Sequence, residues 1–161
     1  MKYALIMFSV IFSFLILLPF KNSKAQTFTV NNPLDFGEVL DMGECTRSRI
    51  TIFPNGTYTA DSIYIFIVEP TRGDVSFTGG PPNTNFTVSF SGNFFINAPG
   101  GSRFRINQLT SGPGPGGYVT DAFGNGQFYL GGRSNTRRSG CGSYPDATHT
   151  GSYDVTVTFI P

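Results

Sequence analysis

Apolar and polar residues alternate with a period of two in several stretches after residue 25, and such alternation is typical of half-buried β-strands. The alternation is clearest in residues 86–91, 103–107 and 153–159, where Val, Ile, Phe or Tyr is interleaved with Thr, Ser, Asp, Asn or Arg. No stretch after residue 25 repeats apolar residues at helical spacing over the length of a helix. The pattern therefore predicts an all-β fold.

Residues 63–68 are apolar at every position, which predicts either a central strand covered on both faces or a strand whose second face meets a partner. Residues 46–53 form a predicted strand that enters the turn Pro54-Asn55-Gly56. Shorter strands are predicted at residues 34–39, 74–78, 94–97 and 127–130. Eight or nine such strands predict an immunoglobulin-like antiparallel β-sandwich. Two glycine-rich segments, 110–124 and 131–151, are predicted to be long loops.

The first 25 residues have the layout of a secretory signal peptide, with Lys2 at the start, an apolar run over residues 4–20 and small residues before a cleavage site after Ala25. Residues 26–161 then form a single domain, and membrane contact is expected only through an uncleaved signal segment. All three lysines lie in that segment, so the mature chain has eight arginines against ten carboxylates. This near balance gives no support to nucleic-acid binding.

Cys45 and Cys141 are the only two cysteines, and in an exported chain they favour a disulfide. The bond would enclose nearly a hundred residues and stabilise the fold by about 4–5 kcal/mol on the loop-entropy model. The single histidine, His149, lies in no nucleophile motif, and two cysteines with one histidine fall short of a structural zinc site. We therefore expect no catalytic residue, no metal and no cofactor.

Arg133, Arg137 and Arg138 lie close together in the chain, and their guanidinium groups suit an anionic sugar or a phosphate. The alternative is a solvated loop in which they pair with Asp146 or Glu44. Aromatic side chains on turns can stack on sugar rings, and the candidates are Tyr118, Tyr129 and Tyr144. Together these residues define the alternative function, a carbohydrate-binding module for surface glycans. Modification patterns also occur at Asn55, at Asn85 and at the triplet 61–63.

Two segments resemble a known family. Residues 34–39 (LDFGEV) and 151–159 (GSYDVTVTF) are similar to the opening and closing strands of domain of unknown function 4402, a family of exported bacterial domains. Residues 102–110 followed by 126–132 fall in the order expected for its middle. The resemblance implies a β-sandwich similar to fimbrial subunits and a place at the cell surface, in the periplasm or outside the cell. It implies no catalytic residues.

The last strand also resembles the end of fimbrial subunits, in which an open sheet edge is paired by a strand from a chaperone or a neighbouring subunit. Residues 26–30 are a candidate for the donated strand, with Phe28 and Val30 as its anchors. The alternative is that this segment is the first strand of its own domain. The expected function is a non-enzymatic surface domain, structural or adhesive, whose partners are like subunits or a periplasmic chaperone.

Overall fold

The computed structural model describes residues 25–41, 48–61, 64–91, 95–98, 103–135 and 147–161. These residues form eleven β-strands and no helix. The strands are β1 (Thr27–Asn32), β2 (Glu38–Asp41), β3 (Arg49–Ile52), β4 (Tyr58–Ala60), β5 (Tyr64–Val68), β6 (Gly73–Thr78), β7 (Asn85–Ser91), β8 (Phe95–Asn97), β9 (Arg103–Pro113), β10 (Gly126–Asn135) and β11 (Asp154–Ile160). All pairings are antiparallel, so the all-β prediction is confirmed.

Strand β10 organises a seven-stranded sheet. Strand β9 pairs with β10 along one side from Phe128 to Asn135, and β8 pairs with the far edge of β9. On the other side, the first half of β10 pairs with β6 and the second half with β3. Strands β1 and β4 complete the sheet outside β6 and β3 respectively.

Two separate two-stranded ribbons cover one face of this sheet: ribbon one is β7 with β11, and ribbon two is β2 with β5. Ribbon one packs on the cluster that contains Phe77 and Phe128, and ribbon two on the cluster that contains Ile52. Phe128 is paired with Val75 and Gly132 with Ile52, and alternate residues of a strand share a face. Both ribbons therefore lie on the same face, which we call the inner face; the opposite face is the outer face. The immunoglobulin-like strand arrangement remains a prediction.

The two predicted long loops are partly strand. Strand β9 continues to Pro113 and β10 continues to Asn135. The glycines in these extensions accommodate close packing: a Cβ on Gly112 would lie 2.5 Å from Cβ of Pro54, and one on Gly131 would meet the carbonyl of Ile52. These glycines therefore let the 53–54 segment lie against the sheet and do not end the strands.

The strand predicted at residues 34–39 begins later than expected, because β2 starts at Glu38. Asp35 forms an isolated bridge with Thr71, and its carboxylate accepts a hydrogen bond from the Gly37 amide at 2.9 Å. Gly37 has a φ of +80°, which favours glycine. This local turn shifts the start of the strand. Strand β4 was not predicted.

Candidate functional site

The predicted strand donor forms β1 at one edge of the large sheet. Phe28 lies opposite Phe77 and Val30 opposite Val75 in β6, so this segment is paired within its own chain. All six residues of β1 are exposed, including 44% of Phe28 and 64% of Val30, and the Phe28 ring lies 5.7 Å from that of Phe77. Both apolar side chains point to the inner face, where neither ribbon buries them.

Four arginines converge on the outer face of the large sheet. Ile50, Ile106 and Ser134 are buried on the inner face, so their strand neighbours point the other way. We call this outer-face group the arginine surface; its members are Arg49, Arg103, Arg105 and Arg133.

Strand register sets the spacing of the arginine surface. Asn135 on β10 is paired with Arg105 on one side and with Arg49 on the other, so the two arginines lie in one row two strands apart. Arg133 lies in the next row, and its Nε donates to Thr51 Oγ1 at 3.4 Å. The guanidinium carbon of Arg103 lies 4.9 Å from the centre of the Phe95 ring. Arg133 alone of this group was a candidate from the sequence.

One carboxylate borders the arginine surface. Asp61 Oδ2 accepts a hydrogen bond from the Arg49 backbone amide at 2.9 Å, and the Asp61 amide donates to the Arg49 carbonyl. The carboxylate therefore terminates the β3–β4 hairpin and places a negative charge at one end of the row.

Tyr118 is separated from Arg133 by the sheet. Its ring packs edge-on against Phe86 with centroids 5.5 Å apart, and its hydroxyl donates to Ser111 Oγ at 2.7 Å. Ser111 is paired with the inner-facing Leu130, so Tyr118 belongs to the inner cluster. The structure thus does not bring Tyr118 and Arg133 into one site.

Several other predicted residues lie outside the described ranges: Cys45, Cys141, Arg137, Arg138 and Tyr144. The disulfide is therefore untested. The strand ends that lead to the two cysteines are adjacent, because Arg49 is paired with Asn135. Cys45 lies four residues before Arg49, and Cys141 lies six residues after Asn135.

Tyr129 lies on the outer face but its ring is already covered. The guanidinium of Arg72 stacks over it at 3.6 Å from the ring centre, and Arg72 Nη1 donates to the Pro54 carbonyl at 3.0 Å. The cation–π contact holds the 53–54 segment against the sheet. His149 is also packed, with its ring 4.8 Å from that of Phe104 and Nδ1 3.0 Å from the Ala147 carbonyl.

Asp121 organises an exposed turn beside ribbon one. Its carboxylate accepts hydrogen bonds from the backbone amides of Phe123 and Asn125, each at 2.8 Å, and from Asn125 Nδ2 at 2.9 Å. The amide of Asn125 is the main reason that the pKa of Asp121 is lowered. The turn presents Phe123, which is 83% exposed. Its carboxylate oxygens hold the chain rather than a cation.

Searches of the described ranges bear on two further expectations. In that part of the chain, no three His, Cys, Asp or Glu side chains are grouped as metal ligands. The same residues contain no helix of the length and apolarity that a membrane span requires.

The fold and these surfaces define a class: an antiparallel, two-layered all-β domain with open strand edges. Residues 27–159 match the family described as domain of unknown function (DUF4402). The chain belongs to this family, and the resemblance found in the sequence is confirmed. No curated protein and no solved structure matches the chain.

Proposed function

We propose that residues 26–161 form a non-enzymatic, exported domain of the bacterial cell surface that has a structural or adhesive role and assembles by addition of β1 to a neighbouring copy. Membership of the DUF4402 family and the all-β fold support the proposal. The observation that carries it is the state of β1, an edge strand that is exposed at all six positions.

Release of β1 removes little buried area. Phe28 keeps 44% and Val30 keeps 64% of its surface exposed while the strand is paired. The hydrogen bonds to β6 are the main interactions lost, and a β1 from another copy restores the same bonds to the same edge. Exchange is therefore close to neutral in contacts, and the local concentration of neighbouring chains decides between the two states.

The segment after β1 is suited to remain in place during exchange. Leu34 and Phe36 pack on the cluster beneath ribbon two, and Asp35 is bridged to Thr71. The chain is thus anchored immediately after β1, while β1 itself is not. Repeated exchange from one copy to the next gives an open, head-to-tail polymer.

A disulfide pair tests this exchange directly. Val30 and Val75 are opposite in the register, and the usual Cα separation of such pairs, about 4.5–5.5 Å, suits a disulfide. The double variant Val30→Cys with Val75→Cys locks β1 in its own domain. We expect it to lose the concentration-dependent, denaturant-resistant ladders of the unmodified protein on gels run without reductant.

Mixing the two single variants gives the complementary measurement. Exchange predicts an intermolecular disulfide between Val30→Cys and Val75→Cys chains. A mixture of Val30→Cys with Thr156→Cys, which is exposed on ribbon one, is the matched control and should not cross-link. Deletion of residues 26–31 should also remove the ladders. A locked variant that still forms them would contradict the proposal.

A glycan-binding function is the second candidate, and the arginine surface is the observation that favours it. Its chemistry differs from that of a module in which tyrosines stack on neutral sugars, because Tyr118 packs in the inner cluster and Tyr129 lies beneath Arg72.

A further inference from the structure

We propose that the arginine surface binds an acidic polysaccharide through the carboxylate or sulfate groups of the polymer. The inference rests on the second candidate function and supplies the class of ligand. It is independent of β1 exchange, because β1 lies at the other end of the sheet order, outside β6.

Charge is the first reason for this assignment. The arginine surface holds four of the eight arginines in residues 26–161, although that region carries more carboxylates than arginines. None of the four guanidinium groups forms an ion pair with any residue in the described ranges. A concentration of unpaired positive charge on one face raises the local concentration of an anionic ligand.

Geometry is the second reason. Arg105 and Arg49 are separated by β10, and two strand spacings correspond to about 9.6 Å. Arg133 and Arg103 extend the surface to the adjacent rows. A linear polymer with a regularly repeated acidic group can therefore contact several arginines at once. Each guanidinium offers a fork of N–H donors that matches one carboxylate or sulfate.

The rings on this face distinguish the proposed ligand from others. Phe95 is covered by Arg103, and Tyr129 is covered by Arg72. Single-stranded nucleic acids are held largely by bases stacked on free aromatic rings, and neutral sugars commonly use the same platform. In the described residues of this face both rings are occupied by guanidinium groups. The surface is therefore suited to anionic groups rather than to ring stacking.

Asp61 opposes the proposed ligand at one end of the row. Its carboxylate accepts the Arg49 amide hydrogen bond and carries a negative charge next to that arginine. Asn at this position keeps an acceptor oxygen without the charge. The Asp61→Asn variant should therefore bind the polymer more tightly, whereas a loss of affinity would contradict the assigned role of the arginine surface.

The test uses the mature chain, residues 26–161, and isothermal titration with polygalacturonate and dextran sulfate. We expect binding that weakens with added salt and no binding to neutral dextran. The double variant Arg49→Gln with Arg105→Gln should lose at least about tenfold in affinity and show a salt slope lower by about two, one for each arginine.

Two control variants separate the surface from net charge. Arg72→Gln with Arg103 intact removes a charge from the outer face but outside the arginine surface, and it should bind like the unmodified protein. Arg49→Lys with Arg105→Lys keeps the charge and removes the forks, so it should bind with intermediate affinity. Circular dichroism confirms that each variant is folded.

Three results would overturn the inference. They are the absence of binding to both acidic polymers, equal losses in the Arg72 and the Arg49/Arg105 variants, and tighter binding to oligothymidylate than to either polysaccharide. The last result would assign the surface to nucleic acid. The locked Val30→Cys, Val75→Cys variant should bind normally, which separates this outcome from the failure of strand exchange.

Discussion

The two ribbons occupy the same layer of the molecule and differ in what they present to solvent. Ribbon one directs Thr87, Ser89 and Thr156 outward, all of them exposed. Ribbon two directs Leu40 and Ile65 outward as a directly opposed pair, 52% and 50% exposed, with Ile67 beside them at 58%. Both ribbons bury aromatic side chains against the same sheet.

The difference shows that an inner-face contact alone determines where a strand lies, while the outer side chains determine what it meets. Ribbon one is complete as a solvent-facing layer. Ribbon two leaves an apolar surface, as the sequence pattern of residues 63–68 had indicated. The predictions below test how far the stability and the associations of the two ribbons diverge.

Loss of the predicted disulfide should have the largest effect and should act on ribbon two. Cys45 lies in the connection from β2 to β3, so a bond to Cys141 ties this connection to the chain after β10. Cys45→Ser should lower the free energy of unfolding by about 4–5 kcal/mol. Urea denaturation measures the loss, and Cys141→Ser together with the double variant should match it. Two titratable thiols in the native protein would contradict the bond.

Truncation of a buried ring should affect ribbon one more than ribbon two. Phe86 in β7 is 2% exposed and packs edge-on against Phe77 at 5.1 Å. Phe86→Ala should cost about 3–5 kcal/mol, as for other buried phenylalanines. Phe66 in β5 is only half-buried, with its ring 5.2 Å from Tyr58, so Phe66→Ala should cost less. A larger loss for Phe66→Ala in urea unfolding would reverse the comparison.

Polar substitution on the outer side of ribbon two should change association but hardly change stability. Ile65→Thr with Ile67→Thr replaces exposed side chains, so each change should shift the free energy of unfolding by no more than about 0.5 kcal/mol. Binding of a hydrophobic dye should fall. Thr156→Ile, which makes ribbon one apolar, should raise it. Unchanged dye binding in both variants would show that these side chains are covered.

The smallest effect is expected from the pH dependence of the Asp121 turn. Its folded-state pKa is lowered by backbone amides, chiefly that of Asn125. The carboxylate therefore stabilises the fold above its unfolded pKa of about 3.9, and this contribution is lost as pH falls through the lower folded pKa. Thermal unfolding of Asp121→Asn should be less sensitive to acid than that of the unmodified protein. Parallel pH profiles would contradict this role.

Much of the strand content could be predicted because the period-two pattern is local. The alternation in residues 86–91 and 153–159 predicted both strands of ribbon one, which the structure places at 85–91 and 154–160. Long-range contacts explain the failures. Gly112 and Gly131 indicated loops, but Pro54 and the Ile52 carbonyl require the absence of a Cβ within strands β9 and β10.

The candidate site was largely hidden for the same reason. Arg103 and Arg105 were noted only as polar positions of an alternating strand, and nothing in the neighbouring sequence connected them to Arg49 or to Arg133. The pairing of β10 with β9 and with β3 joins them on one face.

The sequence by itself determined the family, the all-β class and the contrast between a strand with one polar face and a strand with two apolar faces, since each depends on residues close together in the chain. Only the tertiary structure decided that β1 pairs within its own domain at an exposed edge and that four arginines share the outer face. Both outcomes depend on register between strands distant in sequence, where a shift of one residue would send each side chain to the opposite face.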